Sequence, residues 1–320
     1  MSDLCCAPTL LGPGADEEDR HFELSDYEFL EPRWCPGCGD RSALTAMQRL
    51  AVAEQFIPEK TCFISGIGCS SRFPHYIKGY GFHGIHGRAL PVATGVKLTR
   101  PELTVFVAMG DGDCTSIGAA HWLHAVRYNI DMTALLLDNN IYGLTKKQTS
   151  PTTPQGFVTN TQTKGSYLPP LNPVQATLGM TNVSFVAQTA EWIPAHLYAT
   201  LRAAYHHKGF SFIRILQRCP QYTESIFKVA VQNPGLVELL VHENGVQLPE
   251  LDRLYKNQRR HDPRDLDEAR RLAEVSDVIR LGIFFQDESR PRYEALREVP
   301  RRSAEEKIRL MNEEFDRYAV

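Results

Sequence analysis

An α/β fold, built on a mostly parallel sheet with helices on both faces, is what this sequence predicts, and three observations predict it. Short apolar runs of strand length alternate with longer amphipathic segments through the middle of the chain, a pattern that implies parallel strands joined by helical crossovers. Gly110-Asp111-Gly112 directly follows one apolar run, residues 103–109. Asp138-Asn139-Asn140-Ile141-Tyr142 directly follows another, residues 132–137. In a parallel sheet both would emerge at the carboxyl edge, where such folds bind ligands.

The first element after the turn Trp34-Cys35-Pro36-Gly37-Cys38-Gly39 is a helix over residues 40–56, with Asp40 as its cap and Leu44, Met47, Leu50 and Ala51 on one face. A strand over 61–65 and a helix over 89–98 follow. The strand 103–109 leads through Gly-Asp-Gly into a helix over 115–128, which Asp113 is placed to cap; a cofactor contact is the other role open to Asp113. After the strand 132–137 comes a long loop over 143–171, rich in Thr, Gln, Pro and Lys, and a loop of that length inside a compact domain is often functional. A strand over 183–188, a helix over 194–207 and a strand over 211–216 complete the alternation, with Cys219 just beyond. From about residue 233 the composition shifts, and 256–280 is dense in Arg, Asp and Glu. The segment 301–317 forms an amphipathic helix with Ile308, Met311 and Phe315 on one face, either a solvated tail or an arm that embraces another subunit.

A chain of 320 residues, 42% apolar and 23% charged, can bury one sizeable core with appendages and is neither disordered nor fibrous in composition. A net charge of -3 gives no bulk electrostatic reason to bind nucleic acid or an anionic membrane. Residues 1–20 lack a basic segment followed by a long apolar core, and no apolar run approaches the roughly 20 residues that span a bilayer. A cytoplasmic protein is expected, whose partners are small anions and other proteins.

At the carboxyl edge the side chains of Asp111 and Asn139 and the backbone carbonyl of Ile141 offer three oxygens to one small divalent cation. A cation of the magnesium type takes oxygen ligands and keeps substrate phosphates in its shell, while Gly110 and Gly112 let backbone N–H groups approach an anion closely. A bare Gly-Asp-Gly is a common turn; the Asn-Asn pair after a second strand is what turns it into a diphosphate site.

Eight cysteines in a chain of this size are too sparse for a disulfide framework. Cys35 and Cys38 have the spacing that places two thiolates on one metal centre, and by themselves they suit zinc, an iron–sulfur cluster or dithiol redox chemistry equally. Cys62 and Cys114 read as small buried residues, and Cys5 and Cys6 lie in a loose arm.

Gly-Asp-Gly followed by Asn fewer than thirty residues later resembles the diphosphate-binding motif of thiamine diphosphate enzymes. The longer strings GDGDCTSIG and DNNIYGLTKKQTSPTTP resemble the beta subunit of 2-oxoacid:ferredoxin oxidoreductases, most of all the 2-oxoglutarate type, and the stretch from Gly87 to Gly95 resembles that family's cofactor-binding segment. The resemblance covers residues 34–235. It implies the thiamine diphosphate-binding fold of the PP type, with an N-terminal arm over 1–33 and a charged, helical extension over 236–320 that contacts other subunits. It implies Mg2+ on Asp111, Asn139 and Ile141, and cofactor contacts at Gly87, Arg88, Gly110, Asp111, Gly112, Asp113, Asn139, Ile141, Gly143, Leu144 and Thr145. It also adds Cys69 and Cys219 to Cys35 and Cys38 as the ligands of one 4Fe-4S cluster.

The implied reaction is oxidative decarboxylation of a 2-oxoacid, with electrons leaving singly through the cluster to ferredoxin and the acyl group captured by coenzyme A. A separate alpha subunit would carry the pyrimidine-binding domain, in a heterodimer or heterotetramer. A distal substrate carboxylate, as in 2-oxoglutarate, needs a cation, for which Arg72 is the first candidate and Arg88, Lys146 and Lys147 the others; the two lysines suit phosphates equally. His86 is a further candidate pocket residue. Two other classes stay open: a non-redox thiamine diphosphate decarboxylase or lyase subunit with structural zinc, and a non-catalytic assembly subunit.

Overall fold

The computed structural model describes residues 20–243, 245–274, 277–297 and 302–318. Most of the expected N-terminal arm, with Cys5 and Cys6, lies outside the described residues, as does Arg301. Among the described residues no helix is long and apolar enough to cross a membrane.

Four strands form the centre of the sheet: β1 (Thr61–Ser65), β3 (Thr104–Gly110), β4 (Met132–Asp138) and β6 (Phe210–Leu216). They lie side by side in that order and all run parallel. β2 (Tyr80–His83), a short edge strand whose residues are all exposed, flanks β1, and β5 (Phe185–Ala190) flanks β6.

Alternation along the central strands sends side chains to two separate cores. Val105, Val107 and Met109 of β3, with Ala134 and Leu136 of β4, face α2 (Ala89–Thr99), α3 (Ala119–Tyr128) and α4 (Pro173–Leu178). Phe106 and Ala108, with Leu135 and Leu137, face α1 (Asp40–Ala53) and α5 (Pro194–His206). Burial of a large apolar side chain contributes about 1.5–3 kcal/mol relative to exposure, and both faces of four adjacent strands contribute it, so this part of the sheet is a rigid platform.

Beyond α6 (Lys228–Gln232), the segment expected as a helical extension is partly sheet. β7 (Val237–Val241), β8 (Asn257–Arg260) and β9 (Ile279–Gln286) continue the same sheet in the order β5-β9-β7-β8, and β9 pairs antiparallel with β5. The charge-dense stretch hides this pattern because β8 is an exposed edge strand, Asn-Gln-Arg-Arg, with no apolar alternation. α7 (Leu266–Leu272) packs Ala269 and Leu272 into the first core, and α8 (Tyr293–Leu296) is a single turn. The expected C-terminal helix is present as α9 (Ala304–Tyr318), with Ile308, Met311 and Phe315 all exposed.

Two other departures are local. The helix expected over 115–128 begins as a wide π-helical turn, Asp113–Ile117, before α3. α4 falls between the expected loop over 143–171 and the expected strand over 183–188, where no element is expected; the Asn172 side chain caps it by accepting from the N–H groups of Val174 (3.1 Å) and Gln175 (3.2 Å), and Pro173 opens it.

The registers fix where chemistry can gather. Ser65 pairs with Ala108, Gly110 with Leu137 and Asp138 with Leu216. The residues that come next, 66–69, 111–113, 139–141 and 217–219, therefore leave the sheet side by side at one edge.

Candidate active site at the carboxyl edge of the sheet

These loops enclose a cavity of about 390 Å³. Cys69, His86, Gly110, Asp111, Gly112, Asp113, Asn139, Ile141, Gly143, Leu144 and Thr145 all line it, joined by Tyr142 and Gln148. Larger hollows of about 580 Å³ beside His242 and about 860 Å³ against Arg41 and Arg49 carry none of the motif residues. The chemistry of the lining, not its volume, selects the site.

Asp111 is 2% exposed. Its Oδ2 accepts from the hydroxyls of Ser150 and Thr152, the latter at 2.7 Å, and its backbone carbonyl accepts from the Thr115 hydroxyl at 2.6 Å. Burial first, and then the neighbouring Asp138 carboxylate, push the Asp111 carboxyl up to about 7. Asp138 is itself held by Arg214, whose Nε donates at 2.7 Å, and by the backbone and side-chain N–H groups of Asn140 at 3.1 and 2.9 Å. Asn140 takes the left-handed conformation, φ 58°, which asparagine tolerates and which turns the chain between Asn139 and Ile141. The carbonyl of Asn139 accepts from the Thr223 hydroxyl at 3.0 Å. A buried carboxyl, an amide oxygen and a main-chain carbonyl on one wall make an all-oxygen donor set, and a divalent cation there would offset the cost of burying Asp111. The residues fit a hard cation.

Asp113 does not cap the following helix. Its Oδ1 accepts from the backbone N–H of Gly87 (2.6 Å) and Ile67 (3.2 Å), and the His86 ring nitrogen Nδ1 lies 2.8 Å away. Nδ1 also lies 3.3 Å from the Ile67 carbonyl; both neighbours are acceptors, so Nδ1 carries the proton. The wide turn lets Asp113 reach back and tie three loops together. Gly87, at φ 71°, is needed for two reasons: that conformation, and an added Cβ only 2.6 Å from Ile117. Gly112 is crowded by Tyr142, whose hydroxyl donates to the Gly112 carbonyl at 3.1 Å and whose ring any Cβ on Gly112 would overlap.

The cysteines of the turn before α1 meet the end of β6 from the other side. The N–H of Gly39 donates to the Arg218 carbonyl at 3.2 Å, the Gln217 amide donates to the Cys38 sulfur at 3.3 Å, and Trp34 Nε1 donates to the Cys69 carbonyl at 2.7 Å. Asp40 is no helix cap either; it is fully buried, and the Cys38 thiol donates to it at 3.5 Å. Burial pushes the Cys38 thiol up, and burial aided by Asp40, Cys219 and Cys35 pushes Cys69 up to about 12. All six described cysteines are free, and Cys62 and Cys114 are buried in the first core. Among the described residues no three His, Cys, Asp or Glu side chains converge as ligands of a single ion. Free thiols, one of them receiving an amide N–H, are donors of the type an iron–sulfur centre uses.

Cys69 belongs to both regions. It lines the cavity, and a Cβ built on Gly143 would sit 3.5 Å from its sulfur.

Residues 66–215 match the family model described as thiamine pyrophosphate enzyme, C-terminal TPP binding domain, and residues 251–300 match the model for the C terminal of the pyruvate ferredoxin oxidoreductase beta subunit. The 2-oxoacid:ferredoxin oxidoreductase 2 subunit beta of Aeropyrum pernix is 36% identical over 263 residues, 82% of either chain. The chain belongs to the beta subunits of 2-oxoacid:ferredoxin oxidoreductases. The 2-oxoglutarate oxidoreductase subunit KorB of Mycobacterium tuberculosis is 46% identical over 229 residues, which are 72% of this chain and 60% of that one. Among solved structures, a 2-oxoglutarate:ferredoxin oxidoreductase from Magnetococcus marinus, with 2-oxoglutarate, coenzyme A and succinyl-CoA bound, aligns at a TM-score of 0.76 and 34% identity. That alignment covers 91% of this chain and 96% of its own.

In this beta subunit several expected residues stand away from the cavity. Arg72 lies on the 3-10 turn after Cys69, with its guanidinium 5.7 Å from the Tyr76 ring. Arg88 donates to the carbonyls of Gly87 (3.4 Å) and Ile117 (3.2 Å), and the Gly87 N–H is taken by Asp113. Lys146 is exposed, and Lys147 lies 5.6 Å from the Phe157 ring beside a neighbouring hollow. Conversely, Tyr142, Gln148, Ser150 and Thr152 escape a reading of the sequence. The hydroxyl-dense Thr-Ser-Pro-Thr-Thr of the long loop is the available signal: hydroxyls returning beside a buried carboxylate.

Proposed function

We propose that this chain is the cofactor-binding half of a coenzyme A-acylating 2-oxoacid:ferredoxin oxidoreductase acting on 2-oxoglutarate, completed by an alpha subunit. One observation carries the reading: a single cysteine, Cys69, stands in the wall of the cavity lined by Asp111, Asn139 and Ile141, and its carbonyl accepts from Trp34, the residue that opens the Cys35–Cys38 turn. The names of the relatives supply the substrate.

Thiamine diphosphate, when bound, supplies the electron sink for loss of the 2-oxoacid carboxylate. Asp111, Asn139 and the Ile141 carbonyl would hold Mg2+ against its diphosphate, and Gly112, kept side-chain-free by Tyr142, would let backbone approach it. Cys35, Cys38, Cys69 and Cys219 would hold one 4Fe-4S cluster next to that wall, with electrons leaving to ferredoxin on the side where Cys35 is exposed. Asp113 fixes the His86 ring with Nδ1 protonated, so Nε2 is the nitrogen able to accept a proton or hydrogen bond from a reacting group. The ring-activating carboxylate would come from the alpha subunit. We assign Arg72 to a distal substrate carboxylate at the mouth completed by that subunit, and the exposed apolar face of α9 to an interface with another chain of the assembly.

Anaerobic co-purification with the partner subunit tests this. A brown protein whose visible absorbance bleaches on adding 2-oxoglutarate and coenzyme A is expected, whereas a colourless, zinc-replete assembly would overturn the reading.

A further inference from the structure

We infer that the hydroxyls of Ser150 and Thr152 set which cation this site accepts, by occupying Asp111 Oδ2 and leaving the carboxylate one oxygen, Oδ1, for a metal. The inference rests on Asp111 being a cation ligand.

Both hydroxyls bond the same carboxylate oxygen. The other neighbours of the Ser150 hydroxyl are the hydroxyls of Thr152 at 3.3 Å and Thr153 at 3.2 Å, neutral partners that bind less strongly than the carboxylate. Thr152 also lies 2.9 Å from Asp138 Oδ1, and Asp138 is fixed by Arg214 and Asn140. The backbone N–H of Ser150 donates to the Thr153 hydroxyl at 2.9 Å, which in turn donates to the Asn140 carbonyl at 2.7 Å. The clamp is thereby tied to the same turn that presents Asn139 and Ile141. Ser150 is 4% exposed and Thr152 2%, so water does not compete for these bonds. The Thr115 hydroxyl fixes the Asp111 backbone as well.

Magnesium prefers octahedral coordination at about 2.0–2.1 Å, whereas calcium takes about 6–8 oxygens and readily accepts bidentate carboxylates. A carboxylate whose second oxygen already receives two hydroxyl bonds serves as a monodentate ligand at no loss. To become bidentate it must give up at least one of those bonds inside a buried site. The clamp therefore penalises the larger ion selectively, and its removal relaxes the preference.

The test is equilibrium dialysis of thiamine diphosphate against the assembled enzyme, titrated separately with Mg2+ and Ca2+. Wild type is expected to favour Mg2+; Thr152→Val should lower the Mg2+/Ca2+ affinity ratio by about tenfold or more, the lower end of what loss of an outer-shell partner does to metal sites. Ser150→Ala should move the ratio the same way, and it carries the test if the valine variant does not fold. Thr152→Ser, which keeps the hydroxyl, should restore the wild-type ratio. An unchanged ratio in proteins that still bind cofactor would overturn the inference while leaving the cation site intact. Cofactor binding by wild type with no dependence on any divalent cation would instead overturn the reading of Asp111 itself.

Discussion

Replacing Asp111 by asparagine should make the cation-free protein more stable above neutral pH while destroying the proposed cation site. Burial and Asp138 raise the carboxyl from 3.8 to about 7, so the folded state favours the protonated acid. A group raised in this way contributes its stability in full below the unfolded value, and that contribution is lost as pH climbs through the folded value. The shift is about three units at about 1.4 kcal/mol each, a ceiling of about 4 kcal/mol by pH 8. Asparagine carries no charge at either pH, and its amide oxygen can still accept from Ser150 and Thr152. Asp40, also raised to about 7, is common to both proteins and cancels. Urea unfolding in chelator at pH 4 and pH 8 gives the quantity needed: the stability of Asp111→Asn minus wild type should rise toward that ceiling between the two pH values. Adding Mg2+ and thiamine diphosphate should then stabilise wild type alone. An identical difference at both pH values would refute the reasoning, because it would mean that burying Asp111 costs nothing when it ionises.

Two further outcomes follow from the cavity and its mouth. Gly112→Ala should force Tyr142 off its bond to the Gly112 carbonyl and into the cavity, lowering thiamine diphosphate affinity about tenfold or more, about 1.4 kcal/mol; a fluorescence titration with unchanged affinity would contradict the packing. Arg72→Met in the assembled enzyme should raise KM for 2-oxoglutarate far more than for a monocarboxylic 2-oxoacid, and equal effects on the two would remove Arg72 from substrate recognition.

The central sheet is readable in the sequence because its strands are apolar on both faces and end in residues with distinctive chemistry, Gly110-Asp111-Gly112 and Asn139-Asn140. Such runs announce themselves whatever their neighbours do. β2 and β8 do not, since edge strands with exposed side chains have no burial pattern to display. Asp40 and Asp113 show a different limit. Each precedes helical sequence and looks like a cap, yet tertiary partners claim both carboxylates, Cys38 for one and the Gly87 and Ile67 N–H groups for the other. The roles of Ser150 and Thr152 stay hidden because they reach Asp111 across 39 and 41 residues of chain, a distance over which no periodicity operates.

The bonds that join the turn before α1 to the end of β6 also bear on biosynthesis. Gln217 reaches the Cys38 sulfur across 179 residues, and the Gly39 N–H meets the Arg218 carbonyl. On the ribosome, Cys35 and Cys38 emerge long before Cys219 exists, and β1, β3, β4 and β6 must assemble before the turn before α1 can meet the end of β6. On the reading proposed above, the nascent chain therefore offers no complete receptor for iron and sulfide. On that reading metallation would come after translation, on a sheet already built, and expression without iron should give a folded, colourless precursor.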